Sequence, residues 1–130
     1  MKFISNAKTK IFPLLILGFF LGALSWGIVS LVSDRFEPFD SGVGWFIGQF
    51  ILSAMAFGVG YQLGIRQVFI FAFSAYVGMN AYAYLFGGSE QRAWFFLGLI
   101  TTLALLVIPT IFGLCGRVLK YVRSKFRKQA

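Results

Sequence analysis

The sequence has little charge, no histidine and a single cysteine, and each shortage excludes a class of protein or site. Only 12% of its 130 residues are charged, whereas a soluble domain carries about 25%. Without histidine, the chain lacks the commonest zinc ligand and the usual general base. Cys115 alone can form neither an intrachain disulfide nor a cysteine metal cluster. We therefore predict no catalytic, cofactor-binding or metal-binding residues, and no bound cofactor.

Apolar and aromatic residues fill the sequence in place of charge. The chain is 58% hydrophobic and 19% aromatic, with 17 phenylalanines and 3 tryptophans. A chain of this length buries only about two-thirds of the surface that its unfolded form exposes. A water-soluble core of that size cannot hide so many large rings, so we expect lipid to cover the rest.

The charged residues divide the chain into four uncharged runs, at residues 11–33, 41–65, 67–89 and 93–116. A helix needs about 20 residues to cross the hydrocarbon of a bilayer, so each run is long enough to cross once. The sequence therefore predicts one all-α domain over residues 1–130, an integral membrane four-helix bundle with spans at approximately 11–33, 42–64, 67–88 and 93–116. The tight turn at 64–66 predicts that the second and third spans form an antiparallel hairpin.

The distribution of lysine and arginine predicts the orientation of the bundle. Arg35 and Arg92 lie on one side, and the other ten basic residues lie on the opposite side, at Lys2, Lys8, Lys10, Arg66, Arg117, Lys120, Arg123, Lys125, Arg127 and Lys128. The positive-inside rule then places both termini in the cytoplasm, in a multi-pass protein of the cell inner membrane. Because topology accounts for the basicity, the net charge of +8 does not indicate a nucleic-acid partner.

Four polar residues share one depth in the predicted outer leaflet. Each lies eight or nine residues from the outer end of its run: Ser25, Gln49, Asn80 and Thr101. This spacing corresponds to ~12 Å along each helix. Two interpretations stay open, namely hydrogen bonds between helices and a small polar pocket open to the outer leaflet, edged by tryptophan and tyrosine rings. Gln49 and Asn80 are nearly equidistant from the turn, so we expect their amides to meet.

Pro109 interrupts the hydrogen-bond ladder of the fourth predicted span. A proline lacks the N–H that would bond the carbonyl four residues earlier, here that of Leu105. We expect a kink at this point, with Thr102 or Thr110 helping to satisfy the freed backbone.

Small residues recur four apart, as is typical of close helix packing in membranes. The candidate packing residues are Gly18, Gly22, Gly44, Gly48, Gly60 and Gly64, and Ala54 and Gly58 form a further pair. They indicate either packing within the four-helix unit or a face for another membrane subunit.

Residues 117–130 predict a short, basic, amphipathic C-terminal helix that continues the last span and lies on the inner surface of the membrane. Val118, Leu119, Val122 and Phe126 share one face, and five cations lie opposite: Arg117, Lys120, Arg123, Arg127 and Lys128. Each of these cations is a candidate contact for anionic lipid at the cytoplasmic face. Docking of an acidic cytoplasmic partner is the alternative.

The spans contain no ionisable carboxylate, lysine or arginine, although proton-coupled transporters normally keep such a group inside the membrane. The sequence therefore favours a non-enzymatic accessory, scaffold or regulatory subunit of a membrane complex, with a membrane-protein partner or as a homo-oligomer.

One segment points to an alternative function. Residues Tyr61-Gln-Leu-Gly-Ile-Arg-Gln-Val-Phe69 resemble the Y-L-L-N-R-x-W-V-F segment that ends the second span of GtrA-type proteins. Four residues match this segment, namely Tyr61, Leu63, Val68 and Phe69, and Arg66 lies one residue after the position of its arginine. Gly64 and Gln67 depart from the segment, which has asparagine and tryptophan at these positions. The resemblance implies a GtrA-like carrier or flippase for a polyprenyl-linked or other lipid-linked sugar, in which Gln49, Asn80 or Arg66 would be needed for transport.

Overall fold

The computed structural model describes the backbone of residues 2–130 and the side chains from residue 11 onward. The helices are α1 (Lys2–Val32), α2 (Gly42–Gln62), α3 (Ile65–Phe86), α4 (Ser89–Ala93) and α5 (Phe95–Gln129), with a 3₁₀ turn at Pro38–Asp40. No strand occurs in residues 2–130. Four helices are long and apolar enough to cross a membrane, α1 through its part Ile11–Val32. The all-α prediction and the number of apolar spans are confirmed. The side chains of Lys2, Lys8 and Lys10, used in the orientation argument, lie outside the described set.

Local residues explain where α2 begins and ends. Ser41 caps its first turn, because the serine hydroxyl accepts a 3.1 Å hydrogen bond from the Gly44 backbone N–H. At the other end, Gly64 adopts φ 125° and ψ 179°, a region that is essentially restricted to glycine. Gly64 therefore belongs to the turn into α3, and it does not serve as the helix-packing residue that the sequence predicted.

The two ends of the molecule differ in charge. All four acids, Asp34, Glu37, Asp40 and Glu90, lie at the end where α1 and α3 finish, which we call the acidic end. Arg66 and the basic residues of α5 from Arg117 to Lys128 lie at the other, the basic end. Every long helix therefore runs between an acidic and a basic end.

The helices pair in an order that the sequence did not predict. α1 packs mainly against α3, and α2 mainly against α5, with smaller contacts between α1 and α2 and between α3 and α5. α1 and α3 run parallel, since Gly18 lies beside Ser74 and Gly27 lies beside Tyr82. α2 and α3 run in opposite directions but share few contacts. The second and third spans therefore do not pack side by side as a hairpin. Instead, the helices form two parallel pairs, α1 with α3 and α2 with α5.

The most deeply buried side chains come from all four long helices, and they include Val29, Leu52, Val68, Phe71, Met79, Thr102 and Pro109. Among lipid tails, helix association gains little from the hydrophobic effect and depends on close packing and hydrogen bonds. The glycines that bring backbones together and the few polar contacts between helices are therefore the features that hold these pairs in register.

α5 is one uninterrupted helix of 35 residues, about 52 Å long at 1.5 Å per residue. Its basic part, Arg117 to Gln129, continues the apolar part without a break, as predicted for a helical continuation of the fourth run. Gly116, which precedes the first basic residue, does not end the helix, because it packs against the Phe57 carbonyl and the Tyr61 N–H of α2. The hydrocarbon of a bilayer is about 30 Å thick, so α5 is ~20 Å longer than one crossing requires.

Candidate functional site

Gln49 binds the carbonyl that Pro109 leaves without a donor. The Gln49 Nε2 donates a 2.9 Å hydrogen bond to the Leu105 carbonyl oxygen, four residues before Pro109. Gln49 is only 7% exposed, and Pro109 is fully buried. A side chain of α2 thus replaces the missing backbone N–H of α5. The expectation that Thr102 or Thr110 would satisfy this backbone is wrong.

Asn80 forms the second polar contact with α5, about one turn away along that helix. Its Nδ2 donates to the Thr102 Oγ1 at 3.0 Å and to the Tyr76 carbonyl at 2.8 Å. The Thr102 hydroxyl has a carbonyl acceptor in its own helix at Gly98, 2.9 Å away. Tyr76 adds a 3.1 Å hydrogen bond from its hydroxyl to the Leu99 carbonyl. The polar groups of α3 therefore fix its position against α5.

The four residues of the predicted polar layer do not form one network. Gln49 and Asn80 bond different atoms of α5 and not each other, which corrects the expected amide pair. Ser25 and Thr101 bond carbonyls three residues earlier in their own helices, those of Gly22 and Gly98. Thr102 takes the place expected for Thr101, because it is the threonine that faces the interior, with no exposed surface.

The space between these polar groups is too small for a ligand. The cavity that Ser25, Gln49 and Leu105 border has a volume of about 10 Å³, whereas ligand pockets measure about 300–1,000 Å³. Pro38, in the loop at the acidic end, also borders this cavity. The ring of Phe36, in the same loop, lies 6.2 Å from the rings of both Trp26 and Tyr82. Trp26 is itself buried, so its ring belongs to the interior and does not edge an open pocket. The polar layer is a closed set of structural contacts.

The candidate glycines lie at the contacts of different helix pairs. A methyl group added at Gly22 would overlap the Ala75 carbonyl oxygen, and one at Gly18 would lie 2.8 Å from the Phe71 carbonyl oxygen, both on α3. Gly44 and Gly48 face Val29 and Ser25 of α1 in the same way, and Gly60 faces Gly113 of α5. These five glycines therefore lie at contacts within the chain. Four further glycines at contacts between helices were not among the predicted packing residues, namely Gly27, Gly78, Gly113 and Gly116.

One small residue of α2 faces open space instead. A methyl group at Gly58 would have no neighbour within 4 Å. Gly58 lies in a groove of about 440 Å³ between α1 and α2, which is lined by Leu14, Leu17, Met55 and Val59 among others. We call this the α1–α2 groove. It is apolar and open on the surface of the helices toward the basic end.

The candidate lipid-contact residues divide into two groups. Three of them line a groove of about 850 Å³ between the end of α2 and the extension of α5, together with Tyr61, and these are Lys120, Arg123 and Arg127. Arg117 and Lys128 are exposed outside this basic groove. The Arg123 Nη1 donates a 3.1 Å hydrogen bond to the Tyr61 hydroxyl, and the Lys120 Nζ lies 3.4 Å from the Gln62 carbonyl.

A second groove between α2 and α5 is apolar. It has a volume of about 550 Å³ and is lined by Trp45, Phe50, Phe57, Ile108 and Phe112. We call it the α2–α5 groove. Gln49 and Ser53 also border it, and the Gln49 Oε1 and the Ser53 Oγ have no hydrogen-bond partner among residues 11–130.

The three residues that the carrier hypothesis would require are far from forming one site. Gln49 and Asn80 are occupied by their bonds to α5, and Arg66 is exposed in the first turn of α3 at the basic end. Comparison of the chain with protein-family models, curated proteins and solved structures gives no match.

Proposed function

We propose that the chain is a multi-pass protein of the cell inner membrane whose four long helices cross as a bundle, with both termini in the cytoplasm. The charge difference between the two ends supports this orientation. The basic end carries Arg66 and six cations of α5, while the acidic end carries two arginines and all four acids. Cytoplasmic flanks of spans are enriched in lysine and arginine, so the basic end belongs in the cytoplasm.

Reporter fusions test this topology. We expect a reporter that is active only in the cytoplasm to be active at either terminus, and a reporter active only outside to be active when inserted after Phe39 in the acidic loop. Opposite signals from the two termini would contradict the orientation. The insertion at Phe39 serves as the control, because Phe39 is exposed and adjoins the short turn between α1 and α2.

We infer that the protein is non-enzymatic and acts as an accessory, scaffold or regulatory subunit of a membrane complex. The observation that carries this inference is the α1–α2 groove, where Gly58 faces open space while five other candidate glycines are occupied by contacts within the chain. Small residues let a second helix approach closely in a membrane. The polar side chains of the interior serve the fold, which leaves this surface, and not an interior site, as the feature available to a partner.

Purification in a mild detergent tests the partner. We expect a homo-oligomer or a co-purifying membrane protein, and we expect Gly58→Leu to release it by filling the groove. Gly98→Leu is the matched control, since Gly98 also has no neighbour within 4 Å of an added methyl group but lies on α5, away from the groove. A wild-type chain that is strictly monomeric and partner-free in native-membrane cross-linking would count against the subunit role.

A further inference from the structure

We propose that the side of the molecule where α2 meets α5 holds a single anionic phospholipid, with its phosphate in the basic groove and an acyl chain in the α2–α5 groove. The inference rests on the four helices crossing a bilayer, but on neither their orientation nor the existence of a protein partner. The basic part of α5 then contacts lipid at one defined site, rather than through a diffuse attraction to the membrane surface.

The basic groove has the charge and the geometry to bind a phosphate. Lys120, Arg123 and Arg127 follow one another at spacings of three and four, so they lie on one side of α5, above the end of α2. All four carboxylates of the chain lie at the acidic end, so no acid among residues 11–130 neutralises this cluster. The Tyr61 hydroxyl orients the Arg123 guanidinium, which is the side chain best suited to bind phosphate through two parallel hydrogen bonds.

The depth of the cluster matches the headgroup layer. If the span of α5 ends near Gly116, Lys120 lies about 6 Å beyond it and Arg123 about 10 Å beyond it. The polar layer of each leaflet is roughly 5–8 Å thick, and long cationic side chains reach back toward the interface. The Lys120 ammonium and the Arg123 guanidinium can therefore meet lipid phosphate without any change in the helix, while Arg127, about 16 Å beyond Gly116, adds positive charge to the groove outside this layer.

The apolar groove continues from the basic groove, which favours a lipid over a free phosphate. Phe57 lines the α2–α5 groove, Tyr61 lines the basic groove, and their rings stack with centroids 6.4 Å apart. Trp45 lies 16 residues before Tyr61 on α2, which is about 24 Å along the helix. That length accommodates an acyl chain, and the aromatic and aliphatic walls match its chemistry.

The test is retention of lipid by the detergent-purified full chain, measured by native mass spectrometry with dioleoyl phosphatidylglycerol as the probe. We expect one retained lipid per chain, in preference to dioleoyl phosphatidylcholine. Arg123→Gln/Arg127→Gln should weaken retention roughly 30-fold, since each cation near anionic lipid contributes about fivefold. The matched control is Arg66→Gln/Lys125→Gln, which removes the same charge from residues that do not line the groove and should leave retention unchanged.

A second pair of variants tests the acyl chain. Ala54 borders the α2–α5 groove and is exposed, so Ala54→Trp should fill the groove and lower retention several-fold. Val77→Trp, on the exposed side of α3, is the control. Three results would each overturn the site. They are an equal loss of lipid retention in the two charge variants, retention of phosphatidylcholine equal to that of phosphatidylglycerol, and binding of glycerol phosphate as strong as that of phosphatidylglycerol. Reporter signals that place both termini outside the cytoplasm, together with normal lipid retention, would instead reject only the proposed orientation.

Discussion

Placing alanine at both Gly22 and Gly78 is expected to destabilise the folded protein by roughly 2–4 kcal/mol, with each single change costing about 1–3 kcal/mol. The two glycines face each other's helices, since a methyl group at Gly22 overlaps the Ala75 carbonyl oxygen and one at Gly78 overlaps the Phe19 carbonyl oxygen. Backbone atoms cannot rotate aside as a flexible side chain can. α1 and α3 must therefore separate, and the packing of Phe71, Ala75 and Met79 between the helices is lost.

Unfolding of the detergent-solubilised protein by heat or by a denaturing detergent measures this effect. We expect the double change to cost less than the sum of the two single changes, because the first methyl group already moves apart the pair that the second would separate. Gly58→Ala is the matched control on α2, where an added methyl group meets nothing within 4 Å. Alanine favours a helix over glycine, so this variant should keep or slightly raise stability. A loss at Gly58 equal to that at Gly78 would show that helix flexibility, and not contact, sets the cost.

The sequence predicts well how far along the bundle a residue lies, because this depends only on counting along a helix, and Gln49 and Asn80 do reach α5 within about one turn of each other. It predicts the direction of a side chain poorly. Thr101 and Thr102 differ by 1.5 Å in depth but by about 100° around the helix axis. The structure turns Thr102 toward Asn80 and leaves Thr101 bonded to its own helix. In helices that are apolar on every side, the sequence has no amphipathic pattern to identify the inner face.

The same loss of pattern hides the pairing of the helices. A water-soluble bundle reveals its contact faces through the alternation of polar and apolar residues, whereas here even outward-facing residues such as Phe20 and Phe73 are apolar. The spacing of glycines indicates close contacts, but it does not identify the partner helix. Gly60 and Gly64 form one pair four residues apart, yet Gly60 contacts Gly113 of α5, whereas Gly64 lies in a turn with φ 125°. Which helix a given glycine contacts depends on how all four helices pack together.

Replacing Gln49 with leucine is expected to cost about 1–2 kcal/mol in the native chain and much less when Pro109 is also replaced by alanine. In the native chain, the Gln49 Nε2 is the donor at 2.9 Å to the Leu105 carbonyl, and leucine leaves that carbonyl unsatisfied in an apolar interior. With alanine at position 109, the backbone N–H of residue 109 donates to the Leu105 carbonyl as in an ordinary helix. The carbonyl then no longer depends on α2, and we expect a coupling energy of about 1 kcal/mol in the double-mutant cycle.

Asn80→Leu is the control that separates this mechanism from a general loss of polar contacts. It removes the 3.0 Å hydrogen bond to Thr102, which lies seven residues before Pro109 and does not involve the freed carbonyl. Its cost should therefore be the same with proline or alanine at position 109, within about 0.5 kcal/mol. If Gln49→Leu were equally costly in both backgrounds, the amide would be stabilising α2 through packing alone. A coupling confined to Gln49 would instead identify Pro109 as the reason that α5 needs a glutamine of α2 beside it.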